Sequence, residues 1–228
     1  ITSTVVRSTD LETWDTVLTE SGSFADVAFG NGRFIANDGQ TMVSDDLGVS
    51  WTQGGTLDIG MNTRSIDFLP FGDGVFVVTG ESGDARSIVT SADGSTWSPA
   101  ATRPDECLSY YRGAAFGAGA IVLASGNGHV CVSRDGGAAW EVVDVTDGFG
   151  SNIVFTGGAF IVYGGGKQWR SEDGTSWDGA DVTPPGTPIG NFAVSDDGTF
   201  AAANDGWQVW YENQHFYRSA DGIDWEVL

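Results

Sequence analysis

The sequence predicts an all-β fold, a β-propeller of four-stranded blades with about six repeats, five complete and one N-terminal half blade. Three observations carry this expectation. A Ser-x-Asp turn followed by a tryptophan recurs, so that Trp14, Trp51, Trp97, Trp140, Trp177 and Trp225 fall 37 to 48 residues apart. Self-similarity at such a period marks a solenoid, a propeller or an array. A second, glycine-rich hairpin lies upstream of each complete copy, and no helical period survives over a useful window.

Taken in order, the chain opens with one hairpin, 1–18, built around the turn Ser8-Thr9-Asp10-Leu11 that leads into Trp14. Complete repeats follow at about 23–54, 64–99, 111–143, 151–179 and 190–228, and the whole of 1–228 reads as one domain. Each repeat begins with two apolar runs around a Gly-rich turn: Phe29-Gly30-Asn31-Gly32, Phe71-Gly72-Asp73-Gly74, Phe116-Gly117-Ala118-Gly119, Phe155-Thr156-Gly157-Gly158 and Ser195-Asp196-Asp197-Gly198. Apolar residues flanking such a turn read as a tight hairpin. A loop then leads to a third short run, the Asp turn and a fourth run. Four strands in roughly 40 residues, repeated, make propeller blades. The first hairpin has only the third and fourth strands of a blade. Three completions are open: residues before Ile1, strands from a partner, or five closing blades with the hairpin as an accessory.

The Asp turns come in two lengths. Ser44, Asp46, Gly48 and Trp51 match Ser133, Asp135, Gly137 and Trp140 in spacing. Ser91, Asp93 and Trp97, Ser171, Asp173 and Trp177, and Ser219, Asp221 and Trp225 are one residue shorter, and the copy ending at Trp14 lacks the glycine. Ser and Asp side chains bond the turn's own backbone. Glycine supplies a positive φ. Tryptophan gives a large ring to staple the hairpin to its neighbours. Ser-x-Asp-x-Gly-x-x-Trp resembles the Asp-box, or bacterial neuraminidase repeat, of sialidases, other glycoside hydrolases, some lectins and non-enzymatic assembly-factor propellers. The resemblance covers nearly the whole chain. It implies a propeller in which the Asp turns sit on the outer rim. Ligands would then be met by the loops on the opposite face, from fourth to next first strand and from second to third.

The formal charge is −21, from 31 acidic against 10 basic residues. This argues against nucleic acid and anionic membrane as partners, since both need clustered Lys and Arg. No apolar run is long enough to span a membrane, so membrane insertion is not expected. The acidic surface suits a secreted or cell-surface protein. No signal peptide is read, and a start at Ile1 rather than Met predicts processing or trimming. Cys107 and Cys131 lie in one repeat, and two readings stay open: a disulfide of a secreted protein, or two buried thiols. No metal site or cofactor is expected, with Ca2+ held by Asp-Gly loops as the alternative, although none of these loops has an EF-hand pattern.

Function rests on the long face loops. Asn204, Asp205, Trp207, Trp210 and Tyr211 share one of them, Tyr110, Tyr111 and Arg112 a second, and Arg64 ends a third. Aromatic rings stack on sugar faces while Asn and Asp meet hydroxyls, so these residues predict a non-catalytic recognition propeller for carbohydrate. The alternative is a structural or protein-interaction propeller of a larger surface assembly, in which Trp207 and Trp210 only pack on a neighbouring blade. A sialidase-like hydrolase needs converging Arg, a Tyr activated by Glu and a carboxylic acid. Tyr211 and Glu212 are adjacent, so on a strand they would point to opposite faces, and no catalytic residue is assigned.

Overall fold

The computed structural model describes residues 2–21, 24, 26–37, 40–57, 62–82, 85–102, 104–108, 111–146, 148–149, 151–187, 189–204 and 215–228. The chain divides into two compact units, Ile1–Thr102 with Gly136–Ala139, and Arg103–Asp135 with Trp140–Leu228. Every regular element among the described residues is a strand, apart from a single 3-10 turn at Asp105–Leu108.

The first unit holds a two-stranded sheet, β1 (Thr2–Arg7) and β2 (Asp15–Ser21), and two four-stranded sheets. One is β3 (Asp26–Gly30), β4 (Arg33–Asn37), β5 (Gln40–Ser44) and β6 (Thr52–Thr56). The other is β7 (Asn62–Leu69), β8 (Val75–Ser82), β9 (Ala85–Ser91) and β10 (Ser98–Pro99). Its core joins the two four-stranded sheets through Ile35, Val43, Leu57, Ile66, Phe76, Val78 and Val89.

The second unit holds three more four-stranded sheets. They are β11 (Tyr111–Gly117), β12 (Ala120–Ser125), β13 (His129–Ser133) and β14 (Glu141–Asp144); β15 (Val154–Thr156), β16 (Ala159–Gly164), β17 (Lys167–Ser171) and β18 (Asp178–Asp181); and β19 (Ile189–Val194), β20 (Phe200–Asn204), β21 (Phe216–Ser219) and β22 (Glu226–Val227). Each four-stranded sheet is an antiparallel meander in chain order. Burial falls from the middle strands to the last: every residue of β12 is buried, and every residue of β18 is exposed. A strand covered on both faces needs a continuous apolar run, and Ala-Ile-Val-Leu-Ala is one. Two clusters fill this unit, one around Val122, Val132, Phe149, Phe160 and Val162, the other around Tyr163, Phe192, Phe200, Tyr217 and Trp225.

The six Ser-x-Asp turns share one hydrogen-bond pattern. The Ser hydroxyl donates to the Asp carboxylate, from 2.8 Å at Ser44–Asp46 to 3.1 Å at Ser171–Asp173. At Asp173 the amides of Thr175 and Ser176 each donate to one carboxylate oxygen at 2.7 Å, and Gly174 N–H donates to Ser171 Oγ at 2.8 Å. Asp10, Asp46, Asp93 and Asp221 accept from two turn amides in the same way. These donors favour the ionised carboxylate, so Asp93 and Asp221 are held below the usual range and Asp10 and Asp173 well below it. Asp46, bonded chiefly by the Ser50 hydroxyl and then by its amide, drops to about 2.

The turn glycines do supply positive φ, as at Gly94, Gly136, Gly174 and Gly222, but they are not alone in it. Positive φ is not reserved for glycine: Leu11 (φ 62°) and Leu47 (φ 60°) adopt it where sister turns carry Gly94 and Gly136. The tryptophans also do more locally than staple. The indole N–H groups of Trp97, Trp177 and Trp225 donate to the carbonyls of Gly94, Gly174 and Gly222 in their own turns, at 2.9 to 3.2 Å. Trp140 and Trp225 are buried, whereas Trp14 is 56% exposed and the indole N–H of Trp51 has no partner.

Cys107 and Cys131 form a disulfide, with Cα atoms 5.5 Å apart. This closes the choice that the sequence left open. It ties the 3-10 turn before β11 to β13, which lies mid-sheet.

Candidate functional site

The second unit contains a cavity of about 390 Å³. Its walls come from two kinds of connection. Gly126 and Gly164–Lys167 belong to the turns between second and third strands. Gly148, Phe149, Val182, Gly186 and Thr187 belong to the loops between one sheet and the next. These are the loop types that the sequence assigned to the ligand face.

The walls are held in place by backbone chemistry. Gly165 and Gly166 both have positive φ, as a two-residue hairpin turn between β16 and β17 requires. Gly164 is confined by proximity: a Cβ there would lie 2.1 Å from the Gly148 carbonyl oxygen, so any side chain would push the two walls apart. Val182 N–H donates to Gly166 O at 3.0 Å, and Thr183 N–H to Ile223 O at 2.9 Å, which pins the loop that follows β18.

Arg112 stands at the cavity wall for a specific reason. Tyr111 pairs with Ser125 and Gly113 with Ala124, so Arg112 is the extra residue of a β-bulge in β11. Bulges re-aim side chains and are common beside functional sites. The Nε of Arg112 is buried and has no hydrogen-bond partner. Every other arginine whose side chain is described has one: Arg7 with Leu47 O, Arg33 with Asp45, Arg134 with Asp173 O, Arg170 with Glu172, and Arg218 with Glu226.

Lys167 supplies a second cation, its ammonium 2.5 Å from Asp181 Oδ1. Tyr163 also lines the cavity, but its hydroxyl is engaged elsewhere. It donates to Gly222 O at 2.8 Å and accepts from Gln168 Nε2 at 3.0 Å. Burial pushes this phenol well above its ordinary value, so it stays protonated. Among the described residues that line the cavity there is no carboxylate, histidine or cysteine. Among the described residues no three His, Cys, Asp or Glu side chains are grouped to hold a metal ion, and no helix is long and apolar enough to cross a membrane.

The structure redistributes the residues singled out in the sequence. Arg112 and Tyr111 are not in a loop but at the start of β11, and Arg64 lies within β7, where the register shift between Thr63 and Ser65 makes it, too, a bulge residue. Asn204 closes β20 opposite Ile189, itself a cavity residue. Tyr110, Asp205, Trp207, Trp210 and Tyr211 lie outside the described residues. Phe149, Lys167, Val182, Thr187 and Ile189 were not singled out. The signal for them was present in the glycine-rich turn 164–166 and in the Pro-Pro-Gly run of the loop after β18, but such runs are common turn chemistry.

No family model matches the chain, and no curated protein matches it. Solved structures do. YCF48 bound to D1 peptide aligns at a TM-score of 0.64 and 20% identity, over 95% of this chain and 71% of that one. Virginiamycin B lyase from Staphylococcus aureus aligns at 0.68 and 11% identity, over 91% and 70%. The GH74 xyloglucanase from Xanthomonas campestris aligns at 0.67 and 16% identity, over 90% of this chain but only 38% of its own. At such identities the likeness concerns the fold. The fold is that of an all-β propeller of four-stranded blades; among the described residues five sheets have four strands and one has two.

Proposed function

We propose that the chain is a non-catalytic recognition propeller that binds carbohydrate through its loop face. The cavity in the second unit carries this reading. Its volume suits one or two sugar rings, and its lining sets Phe149, Val182 and Ile189 beside backbone groups, Thr187, Arg112 and Lys167. Glycoside hydrolysis generally uses a pair of carboxylates, whereas the described lining residues include none and Tyr163 is held protonated. Trp207, Trp210 and Tyr211 follow Asn204, which stands opposite the cavity residue Ile189, and they supply stacking rings in this reading. The Ser-x-Asp turns are taken as Asp-boxes of the neuraminidase-repeat type, and 1–228 as one domain. The Cys107–Cys131 disulfide supports a secreted or surface location.

The test is an array of neutral and uronate-bearing glycans, probed with wild type and a folded Trp207→Ala/Trp210→Ala variant. A reproducible wild-type signal that the variant loses is the expected result. Silence on every glycan, or release of sugar from a chromogenic glycoside, would sink it. A second reading, peptide recognition, is favoured by one observation, the similarity to a YCF48 structure with a bound D1 peptide.

A further inference from the structure

We infer that the free edge of β1 and the apolar face of β3 beside it form a second binding surface, which takes an extended segment of another protein with alternating apolar and Lys or Arg side chains. The surface belongs wholly to the first unit and does not depend on the carbohydrate reading.

Exposed apolar side chains are concentrated at one place. Val6, Trp14, Val27 and Phe29 are 48 to 56% exposed, and all belong to the first hairpin and the sheet that follows it. Among the described residues the three sheets from β7 to β18 expose no large apolar side chain. A cluster of this kind marks an interaction site. Register shows what is uncovered. Val27 pairs with Ala36, and Ala36 with Met42, two residues before Ser44 of the Asp turn. The same count in two other sheets leads to Ile66 and Phe192, which are 2% and 5% exposed against 49% for Val27. Their cover comes from the preceding sheet: Ile35 and Val43 share a core with Ile66, and the rings of Tyr163 and Phe192 lie 4.9 Å apart. Among the described residues the sheet that precedes β3 is the two-stranded hairpin. It encloses a cavity of about 230 Å³, lined in part by Val5, Trp14, Val17, Val27 and Phe34, and leaves Val27 and Phe29 half open.

The edge of β1 is suited to an added strand. Among the described residues β1 pairs only with β2, and an edge strand presents a row of unpaired backbone groups. The register with β2 skips Val17, so the irregularity is carried by β2 and not by β1. Thr2-Ser3-Thr4-Val5-Val6 has neither proline nor charge, the usual guards of an edge. A strand paired there would hold the place that β4 and β16 hold in their sheets, next to the strand that enters the Asp turn. Ile35 and Tyr163, which cover the following sheet, come from those two strands.

Charge decides the occupant. The hairpin carries Asp10, Glu12, Asp15 and Glu20 against one cation, Arg7, whose Nε–H donates to Leu47 O at 2.9 Å. The whole chain stands at −21. A second copy brings the same excess and is repelled, whereas a segment with Lys or Arg on the face turned away from β3 is attracted. Its other face needs apolar side chains to cover Val27 and Phe29. Main-chain bonds then supply affinity and the alternate side chains specificity.

The experiment titrates acetyl-Lys-Val-Lys-Ile-Lys-Val-Lys-amide into the intact protein and follows backbone amides by NMR. Saturable shifts are expected along Thr2–Arg7 and at Val27 and Phe29. The same peptide N-methylated at every residue keeps its charge but cannot pair, and should not bind; nor should the peptide with Glu in place of Lys. Val27→Ser/Phe29→Ser should weaken binding about tenfold, with a melting temperature close to that of wild type because both positions are exposed. Absence of binding to wild type, binding that survives full N-methylation or the change to Glu, shifts confined to other residues, or equal affinity in the serine variant overturns the surface. A concentration-dependent dimer in sedimentation that shifts the same amides would put a second copy there and overturn the basic partner. Silence on the glycan array leaves this surface untouched, and its failure leaves the carbohydrate reading intact.

Discussion

Asp173 shows how much of this fold is settled by single side chains. Its carboxylate accepts two backbone amides and the Ser171 hydroxyl, and it is held below the usual range first by the Ser176 amide and then by that of Thr175. The sign of the pH effect follows. A carboxylate whose pKa is lower in the folded state than its unfolded value near 3.8 contributes stability that is complete above that value and is lost as pH falls through the folded pKa. Asp173→Asn should therefore melt below wild type at pH 6, and the gap should close progressively from about pH 4 to pH 2. Thermal melts of both proteins across that range measure it; a gap that stays constant would mean the charge is irrelevant to the turn. These turns were legible because Ser, Asp, Gly and Trp recur at fixed spacing. Leu11 and Leu47 were not, since nothing in a leucine announces a positive φ. Arg112 was legible as a loop arginine but not as the residue of a bulge, because a bulge is a matter of register between two strands.

At the scale of the element, the middle strands were the most readable and the loop before β11 the least. Runs such as Ala120–Ser125 are apolar throughout because both faces are covered. The segment from 102 to 112 looked like one long loop, yet it contains a 3-10 turn anchored by Cys107 and the start of a strand. Two cysteines in one repeat fit both a bond and two thiols, and only the fold puts them side by side. The bond spans 24 residues. In the chain-entropy account a cross-link of that length stabilises by about 3 kcal/mol, by restricting the unfolded chain. The Cys107→Ser/Cys131→Ser variant should lose about that much in denaturant unfolding. Equal stability of wild type with and without reductant, with reduction verified by mass, would contradict this account.

For the whole molecule the governing quantity is charge. The turn carboxylates cannot be neutralised at ordinary pH without losing their amide bonds, so a repeat built on Asp turns carries a fixed load of negative charge. With a net −21, like charges repel across the folded surface and oppose compaction. Among the described residues the ion pairs that offset this include exposed ones, such as Arg170–Glu172 at 3.1 Å and Arg218–Glu226 at 2.5 Å. Exposed pairs of this kind contribute about 0 to 1 kcal/mol each. Added salt weakens both effects, but the repulsion is summed over many more groups and reaches farther than any one pair. Screening tightens from roughly 30 Å at 0.01 M to roughly 10 Å at 0.1 M. The melting temperature should consequently rise between about 0.01 M and about 0.5 M NaCl, most steeply in the first decade. A melting temperature that falls with salt would show that the pairs outweigh the excess charge.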